Sequence, residues 1–526
     1  MDGKRSKLKN NTHTVLKRFQ NFRYGLILQG VIVGALAGLV SVLFRIVIEH
    51  ANDLLFFVLD YGNQLVMVKI AWFAAIAILA LLVARLVRWQ PMISGSGIPQ
   101  VEGELHGVFS QNWWKVLIAK FVGGALAIGA GLSLGREGPS IQLGAMAGKG
   151  FSRISKRIKI EEKLLMTCGA SAGLAAAFNA PFAGVLFSLE ELHKSFSVEV
   201  LLSTMAASVT ADFISRNVFG LAPIFSFDIT QNIPLDLYWV VVVLGVALGA
   251  VGVFYNFCIK KSQQLYGKIK KTEVRLLIPF LCAGVLGFTF PAVLGGGNSL
   301  IPMLISGKFA LVMIFAVFAI KFIFSMVSFG SGAPGGIFLP LLVLGALLGG
   351  GIGTAMVQVF GVPRELIQNF IVLAMAGFFA AIVRAPITGI ILICELTGSF
   401  TQLLSVTLVS LIAYVIADLL KSKPIYEQLL ERIIARQDEA QSAPQKQEVK
   451  ILIELPVHFG TPICMKKISQ IEWPENSLIV AVKRGSHEII PKGTVRIRPG
   501  DILVILCNEE NSYRVREMVT KLCQTG

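Results

Sequence analysis

The chain has 526 residues, of which 54% are hydrophobic and only 15% are charged, whereas soluble domains carry about 25% charged residues. Apolar runs near or above the ~18 residues that span a bilayer recur along it, which excludes an ordinary soluble protein and indicates a polytopic membrane protein. The net charge of +16 does not indicate nucleic-acid binding, because the basic residues cluster beside apolar spans, as in cytoplasmic loops that face anionic lipid heads. These clusters are residues 4–23, 149–159, 260–275 and the stretch after Lys421.

The first part of the chain contains two predicted spans and then a break. Residues 24–48 and 67–87 are apolar enough to cross a membrane, and the mixed residues 49–60 between them are expected to form an interfacial loop. Further on, Ser94-Gly95-Ser96-Gly97-Ile98-Pro99 places small residues before an Ile-Pro pair. This pattern fits either a broken backbone leading to a helix N-terminus or a plain interfacial turn capped by Ser96.

A carboxylate between glycines follows in the apolar run at 113–150, in the sequence Gly135-Arg136-Glu137-Gly138-Pro139. A charge in the middle of a bilayer costs at least ~2.5–3.5 kcal/mol and is functional by default. Pro139 suits the first turn of a new helix, and the glycines let the backbone expose its N–H groups. We therefore predict a helix N-terminus presented to an anion, with Glu137 above it. Beyond it, small residues at helical spacing predict close helix packing.

The remainder of the first half contains further predicted spans and an acidic pair. The spans lie at 168–178, 181–189, 198–214 and 235–258. The second of them ends in Glu190-Glu191. Two adjacent carboxylates there could face cytoplasmic water or could serve transport, and the residues alone leave both interpretations open.

The second half, which opens with a predicted span at 276–294, repeats the landmarks of the first. Residues 295–302 parallel the break at 94–99, and Pro340 follows Pro139 by 201 positions within the parallel segment 335–340. Pro386 likewise follows Pro181 by 205 positions. An internal repeat with matched Gly/Pro-interrupted segments indicates a transporter site. Because these segments begin helices, whose N-termini are partially positive, the expected substrate is an anion.

The end of the chain changes character. After a last span at 403–420, Tyr426 could simply belong to an interfacial aromatic belt. A polar linker is predicted at 437–447, followed by a small domain at 448–526. The latter has strand-like segments and a closing helix. The strands are predicted at 449–455, 477–482, 488–490, 494–498 and 502–507, and the helix at 509–523.

These landmarks resemble the CLC family of chloride channels and transporters over residues 24–436. The motifs that carry the resemblance are GSGIP (Gly95, Gly97, Pro99), GREGP (Gly135, Arg136, Gly138, Pro139), GGIFLP (Gly335, Gly336, Pro340), the paired Asn179-Ala180-Pro181 and Arg384-Ala385-Pro386, and Tyr426. The C-terminal segment resembles the RCK-C or TrkA-C regulatory domain of potassium-uptake proteins, on residues 476–480, 490–493 and 498–501.

The resemblance implies a fold and a domain organisation. The fold is an all-α polytopic membrane protein, an inverted-repeat bundle with broken helices, followed by a small α+β cytoplasmic domain. A basic cytoplasmic N-terminus would occupy 1–23 and the transmembrane domain 24–436, with its halves at about 24–260 and 276–421. It also implies a homodimer in the plasma membrane of a prokaryote, with lipid around it and both termini in the cytoplasm.

The resemblance also implies roles for matched residues. The hydroxyl groups of Ser96 and Tyr426, with the N–H groups of Ile337 and Phe338, would hold chloride. Glu137 would be the gating glutamate that competes with chloride and responds to protons.

Glu191 matches the internal proton-transfer glutamate of the exchangers. The expected function is therefore exchange of chloride for protons.

Three alternatives remain at this point. The first is a passive chloride channel of the same fold, regulated by the C-terminal domain. The second is a membrane enzyme, but no HExxH motif or nucleophile–His arrangement supports it. The third is a sensor that signals through the C-terminal domain. We expect no cofactor and no metal, since the seven cysteines include no CxxC pair; an unidentified small-molecule regulator of the C-terminal domain remains open.

Overall fold

The structure is a computed structural model that describes residues 2–526 except 195, 226, 228–231, 308, 441–449, 476, 486, 509–510 and 524–526. It divides into two compact units. The first comprises 1–101 and 112–429, and the second comprises 102–111 and 430–526. Some predicted features lie outside the described residues. They are part of the predicted linker, the first residue of the strand predicted from 449, residue 476, and the start of the helix predicted from 509.

The regular elements described in the first unit are helices. The helices of its first half are α1 (Asp2–Gln64), α2 (Val66–Trp89), α3 (Ile98–Leu105, which continues into the second unit), α4 (Trp113–Gly129), α5 (Glu137–Ile154), α6 (Lys159–Phe178), α7 (Pro181–Phe187), α8 (Val198–Phe219) and α9 (Tyr238–Gly267). A π-helical turn, Ser188–His193, extends α7. The helices of its second half are α10 (Thr272–Thr289), α11 (Leu300–Ile305), α12 (Leu311–Gly330), α13 (Phe338–Phe360), α14 (Ile367–Val383), α15 (Pro386–Thr397), α16 (Leu403–Leu419) and α17 (Ile425–Ala440, which continues into the second unit).

Among the described residues, eight helices are long and apolar enough to cross a membrane, judged by length and composition. Two of these spans, Phe338–Phe360 and Arg364–Val383, have 83% and 89% of their most apolar stretch buried. The other spans are buried by less than half. α13 and α14 are therefore the most buried of these eight spans.

The predicted loop at 49–60 is wrong, because α1 continues through it to Gln64. Leu55 and Leu59, one helical turn apart, are both buried here. The segment has no proline or glycine that would end the helix before Gly62. Its mixed polarity reflects one buried face and one exposed face rather than a loop.

The predicted close packing of small residues joins α5 to α6. A methyl group at Gly144 would overlap the backbone of Gly169, and one at Gly173 would overlap the backbone of Ser140. Such contact is possible only where a glycine lets two helix backbones approach. This packing fixes α5, and with it the carboxylate at its first residue.

The second unit contains a four-stranded antiparallel sheet in the order β1-β4-β2-β3. The strands are β1 (Lys450–Pro456), β2 (Ser477–Arg484), β3 (His487–Ile489) and β4 (Ile502–Asn508), and helix α18 (Ser512–Cys523) packs against the sheet. The strand predicted at 494–498 is wrong. This segment forms only an isolated bridge, from Arg496 to Lys467. Its alternation arises because Ile497 enters the core while its neighbours stay exposed.

Two polar contacts order the second unit. The Asp501 carboxylate is 1% exposed and accepts two hydrogen bonds from the Arg484 guanidinium, at 2.7 and 2.8 Å, and one from the Arg498 N–H at 2.8 Å. Burial raises the pKa of Asp501, but these donors outweigh it and hold the pKa below its ordinary value.

On α18, the Ser512 hydroxyl donates to the His106 carbonyl at 3.1 Å. The segment at 102–111 is thereby tied to the C-terminal helix.

Candidate anion-binding site

The segments at 135–139 and 335–340 face each other. The Gly135 N–H donates to the Gly336 carbonyl at 2.7 Å, and the Gly336 N–H donates to the Gly135 carbonyl at 2.8 Å. Because α5 begins at Glu137 and α13 begins at Phe338, this bridge sets two helix N-termini side by side. Each presents backbone N–H groups without intrahelical partners and a partial positive charge. The two motifs therefore form a single site that favours an anion.

The break before α3 reaches the same place. Gly95 and Gly97 have φ angles of +68° and +96°, which favour glycine. The Gly335 N–H donates to the Gly95 carbonyl at 3.0 Å. Ser96 is 2% exposed, and a Cβ atom at Gly138 would lie only 2.5 Å from its Oγ. The segment is thus a buried break beside α5 rather than an interfacial turn.

The Glu137 side chain lies across these helix ends. It is fully buried, folds over Gly135 and lies next to the N–H of Leu339 in the first turn of α13. Among the described residues, neither carboxylate oxygen has a partner with full hydrogen-bond geometry. The carboxylate is itself an anion, so it occupies a position that the helix N-termini make attractive to any anion.

The neighbouring Arg136 forms an ion pair with a residue of α1. Its Nη1 atom lies 3.1 Å from Glu49 Oε1, which Arg45 Nε also approaches at 2.9 Å. Arg45 in turn donates to the Asn179 side-chain oxygen at 3.3 Å. The positive charge of Arg136 is therefore partly balanced by Glu49, and it still acts on the Glu137 carboxylate together with the N–H groups of Glu137 and Leu339.

Tyr426 is fully buried rather than interfacial. Its ring contacts Phe187 edge-on, with the centroids 6.3 Å apart, and Phe187 also contacts Phe338 at 5.8 Å. Within the described part of the chain, neither the Tyr426 hydroxyl nor the Ser96 hydroxyl has a hydrogen-bond partner. Leaving a buried hydroxyl unsatisfied costs about 1–3 kcal/mol, which suits a polar or anionic ligand at this point.

The two carboxylates of the acidic pair have different surroundings. Glu191 is 4% exposed and interacts electrostatically with Tyr426. Glu190 is half-buried and accepts hydrogen bonds from the N-terminus of α15. The interpretation that the pair simply faces cytoplasmic water is therefore wrong.

Two buried lysines support the broken segments and were missed in the sequence. Lys120 Nζ donates to the carbonyls of Ile93 and Gly95 at 2.9 and 2.6 Å. Lys321 Nζ donates to the carbonyls of Val293 and Gly295 at 2.8 and 2.7 Å. The available signal was a lysine within each of two apolar helices, separated by the same 201 positions as Pro139 and Pro340.

No group of three or more His, Cys, Asp or Glu side chains that could hold a metal ion occurs within the part of the chain that the structure describes. The polar groups gathered here are backbone N–H groups, two hydroxyls and two separate carboxylates. Such a set can bind a small anion and carry protons, and it contains no activated nucleophile.

The chain matches two families. The family described as "Voltage gated chloride channel" matches residues 75–418, and the "TrkA-C domain" family matches residues 452–520. The chain is 37% identical over 429 residues to the "H(+)/Cl(-) exchange transporter ClcA" of Klebsiella pneumoniae subsp. pneumoniae, covering 79% of this chain and 90% of that protein. It is 35% identical over 433 residues to the protein of that name from Salmonella arizonae, covering 80% and 90%.

Two solved structures share the fold. The structure of "a slow cyanobacterial Cl-/H+ antiporter" matches with a TM-score of 0.75 and 29% identity, covering 78% of this chain and 99% of that one. The structure of "a eukaryotic CLC transporter" matches with a TM-score of 0.65 and 21% identity, covering 86% and 80%, and at that identity it supports the fold alone. The helical unit with its paired broken segments, the family match and the relatives agree, and the chain belongs to the voltage-gated chloride channel family.

Proposed function

We propose that this multi-pass membrane protein is a secondary active transporter that exchanges chloride for protons. The observation that carries the proposal is the buried Glu137 carboxylate, which lies at the paired N-termini of α5 and α13 where an anion would bind. The relatives and the solved structure at 29% identity that bear exchanger or antiporter names support the same activity.

The mechanism follows from competition between chloride and the Glu137 carboxylate for one anion-binding site. Chloride would bind at the Ser96 and Tyr426 hydroxyls and the N–H groups of Ile337 and Phe338, since all four residues are buried. The ionised Glu137 carboxylate competes with chloride for the helix ends, because both are anions. Protonation removes its charge and lets it leave, so chloride movement and proton binding become linked.

Glu191 would supply the proton route from the inner side. It is buried, and its charge acts on Tyr426. A carboxylate that titrates there can pass protons toward Glu137 without a full charge crossing the apolar interior.

The test is paired flux in liposomes that contain the full-length protein. An outward chloride gradient should drive uphill proton uptake, recorded with chloride and pH electrodes. We expect Glu137→Gln and Glu191→Gln each to abolish the proton flux while chloride still moves. Glu365→Gln, at an exposed position, is the matched control and should retain both fluxes. Absence of chloride-driven proton movement in the wild type would refute exchange.

A passive chloride channel of the same fold is the second candidate, favoured by the same anion site without a stoichiometric proton route. It predicts that the reversal potential follows chloride alone at every pH, whereas exchange predicts a shift with the pH gradient. The electrode recording described above separates the two. A membrane enzyme or a sensor without transport predicts no flux at all.

We further infer a homodimer in a plasma membrane with both termini in the cytoplasm. The basic clusters beside the apolar spans support this orientation. The TrkA-C match supports a regulatory role for the C-terminal domain, whose ligand would be a small molecule. Cross-linking in native membranes tests the dimer, and flux from a chain ending near residue 440 tests whether the domain regulates transport.

A further inference from the structure

Glu190, which the proposed mechanism does not use, caps a helix of the other half. Its Oε1 accepts the N–H of Ile387 at 3.3 Å, and its Oε2 accepts the N–H and the hydroxyl of Thr388, both at 2.8 Å. These donors belong to the first turn of α15, which begins at Pro386. The carboxylate thus satisfies orphan N–H groups and faces the positive end of that helix.

The reverse contact is made by Glu395, near the end of α15. Its two oxygens accept the N–H groups of Phe182 and Ala183, at 3.1 and 2.8 Å, in the first turn of α7. Glu395 follows Glu190 by 205 positions, the same spacing as Pro181 and Pro386. α7 leads into the π-helical turn that carries Glu190, so each of the two connected segments caps the other.

This arrangement determines where Glu191 points. Adjacent side chains of a helical turn point in different, fixed directions, so holding Glu190 against α15 also sets the direction of the next side chain. Glu191 is accordingly turned into the protein, where it is 4% exposed and interacts with Tyr426. The three hydrogen bonds hold both oxygens of Glu190 toward the first turn of α15.

We propose that Glu190 is a positioning residue, which holds Glu191 in its proton-transfer orientation by capping α15 and does not itself carry the transported proton. Glu395 makes the corresponding contact from α15 to α7. The residue that follows it is not a carboxylate that could transfer protons. The cap that Glu395 provides for α7 should therefore stabilise the packing of the two halves, and it should not affect the coupling of proton flux to chloride flux. The inference rests on the proposed exchange of chloride for protons.

The test compares Glu190→Gln with Glu395→Gln in the full-length protein, in liposomes, with proton flux per chloride as the readout. Both variants should unfold at lower temperature than the wild type, because each places an amide group against N–H donors. Glu190→Gln should lower the proton flux per chloride by about tenfold, the effect of losing a hydrogen bond to a charged group. Glu395→Gln should keep the wild-type ratio, even if the total flux falls.

Thr388→Val provides the second variant, since it removes one of the three hydrogen bonds and nearly preserves the volume. It should lower the ratio in the same direction by a smaller factor. Equal changes of the ratio in Glu190→Gln and Glu395→Gln, or a wild-type ratio in both Glu190→Gln and Thr388→Val, would overturn the proposal. A wild type that moves no protons would instead refute the proposed exchange itself, so the two failures are distinguishable.

Discussion

Gly138 is the position where the structure makes the sharpest prediction about the anion site. A Cβ atom built there lies 2.5 Å from Ser96 Oγ, 2.9 Å from the Ser96 carbonyl oxygen and 3.2 Å from Gly336 Cα. Favourable carbon contacts lie at about 3.5–4.0 Å, so Gly138→Ala overlaps its neighbours by roughly 0.5–1 Å. Gly138 lies in the first turn of α5 and its φ is not positive, so alanine suits the backbone and only the crowding matters.

The expected result is weaker chloride binding. Overpacking of this kind costs about 1–3 kcal/mol, because the neighbours must shift. The residue that must yield is Ser96, the proposed chloride ligand, so the cost falls on binding and weakens it by about 5- to 150-fold. Isothermal titration of the full-length protein in detergent with chloride measures this directly. Gly25→Ala is the matched control, since no atom lies within 4 Å of its Cβ.

A double-mutant cycle identifies the cause. Ser96→Ala removes the Oγ atom that the new methyl group meets at 2.5 Å, so Gly138→Ala should cost less in that background than in the wild type. Equal costs in both backgrounds would mean that the overlap with the hydroxyl is irrelevant. Wild-type chloride affinity in Gly138→Ala, with an intact fold, would refute the placement of Ser96 at the binding site.

Two further predictions concern other parts of the chain. Lys120→Met and Lys321→Met should each lower the melting temperature, because each removes two hydrogen bonds from a charged donor to backbone carbonyls, at about 1.5–3 kcal/mol apiece. Only Lys120→Met should weaken chloride binding in the same titration, since only its loop leads to Ser96; equal weakening in both would contradict this. Asp501→Asn should reduce hydrogen-exchange protection of β4 in the full chain by about 1.5–3 kcal/mol at pH 7. In the wild type, this stabilisation should be complete above about pH 3.9 and should be lost as the pH falls through the lower folded-state pKa, whereas the variant should show no such slope.

The sequence predicted the broken helices because their causes are local. Glycine and proline act on their own backbone, so the starts of α5, α7, α13 and α15 could be placed from the positions of these residues. Four of the five predicted strands and the closing helix of the second unit were also confirmed, whereas the alternating segment at 494–498 forms no strand. The loop expected at 49–60 was wrong, because whether a mixed segment is helical depends on which face finds a packing partner.

The contacts between the two halves could not be predicted in this way. The bridge from Gly135 to Gly336 joins residues about two hundred positions apart. The residues of either motif do not indicate which segment that motif contacts. The cap that Glu190 provides for α15 is equally distant in the sequence. The repeat nevertheless contained usable information, since it relates each of these groups to a counterpart at a fixed spacing.

That spacing separates two kinds of charged residue. Where both halves keep the charged group, as in the buried lysines and the reciprocal caps, both copies bond to backbone at helix ends or breaks, and their role is to hold the broken fold together. Glu137 and Glu191 behave differently, because their counterparts at the same spacings are Phe338 and Leu396, which are fully buried and apolar. An acid that is present in only one half is not part of the architecture that the two halves share, and its charge carries the cost of burial. The asymmetry within the repeat therefore agrees with the proposed proton-responsive roles of Glu137 and Glu191, and it rests on the repeat and on burial rather than on a resemblance to other proteins.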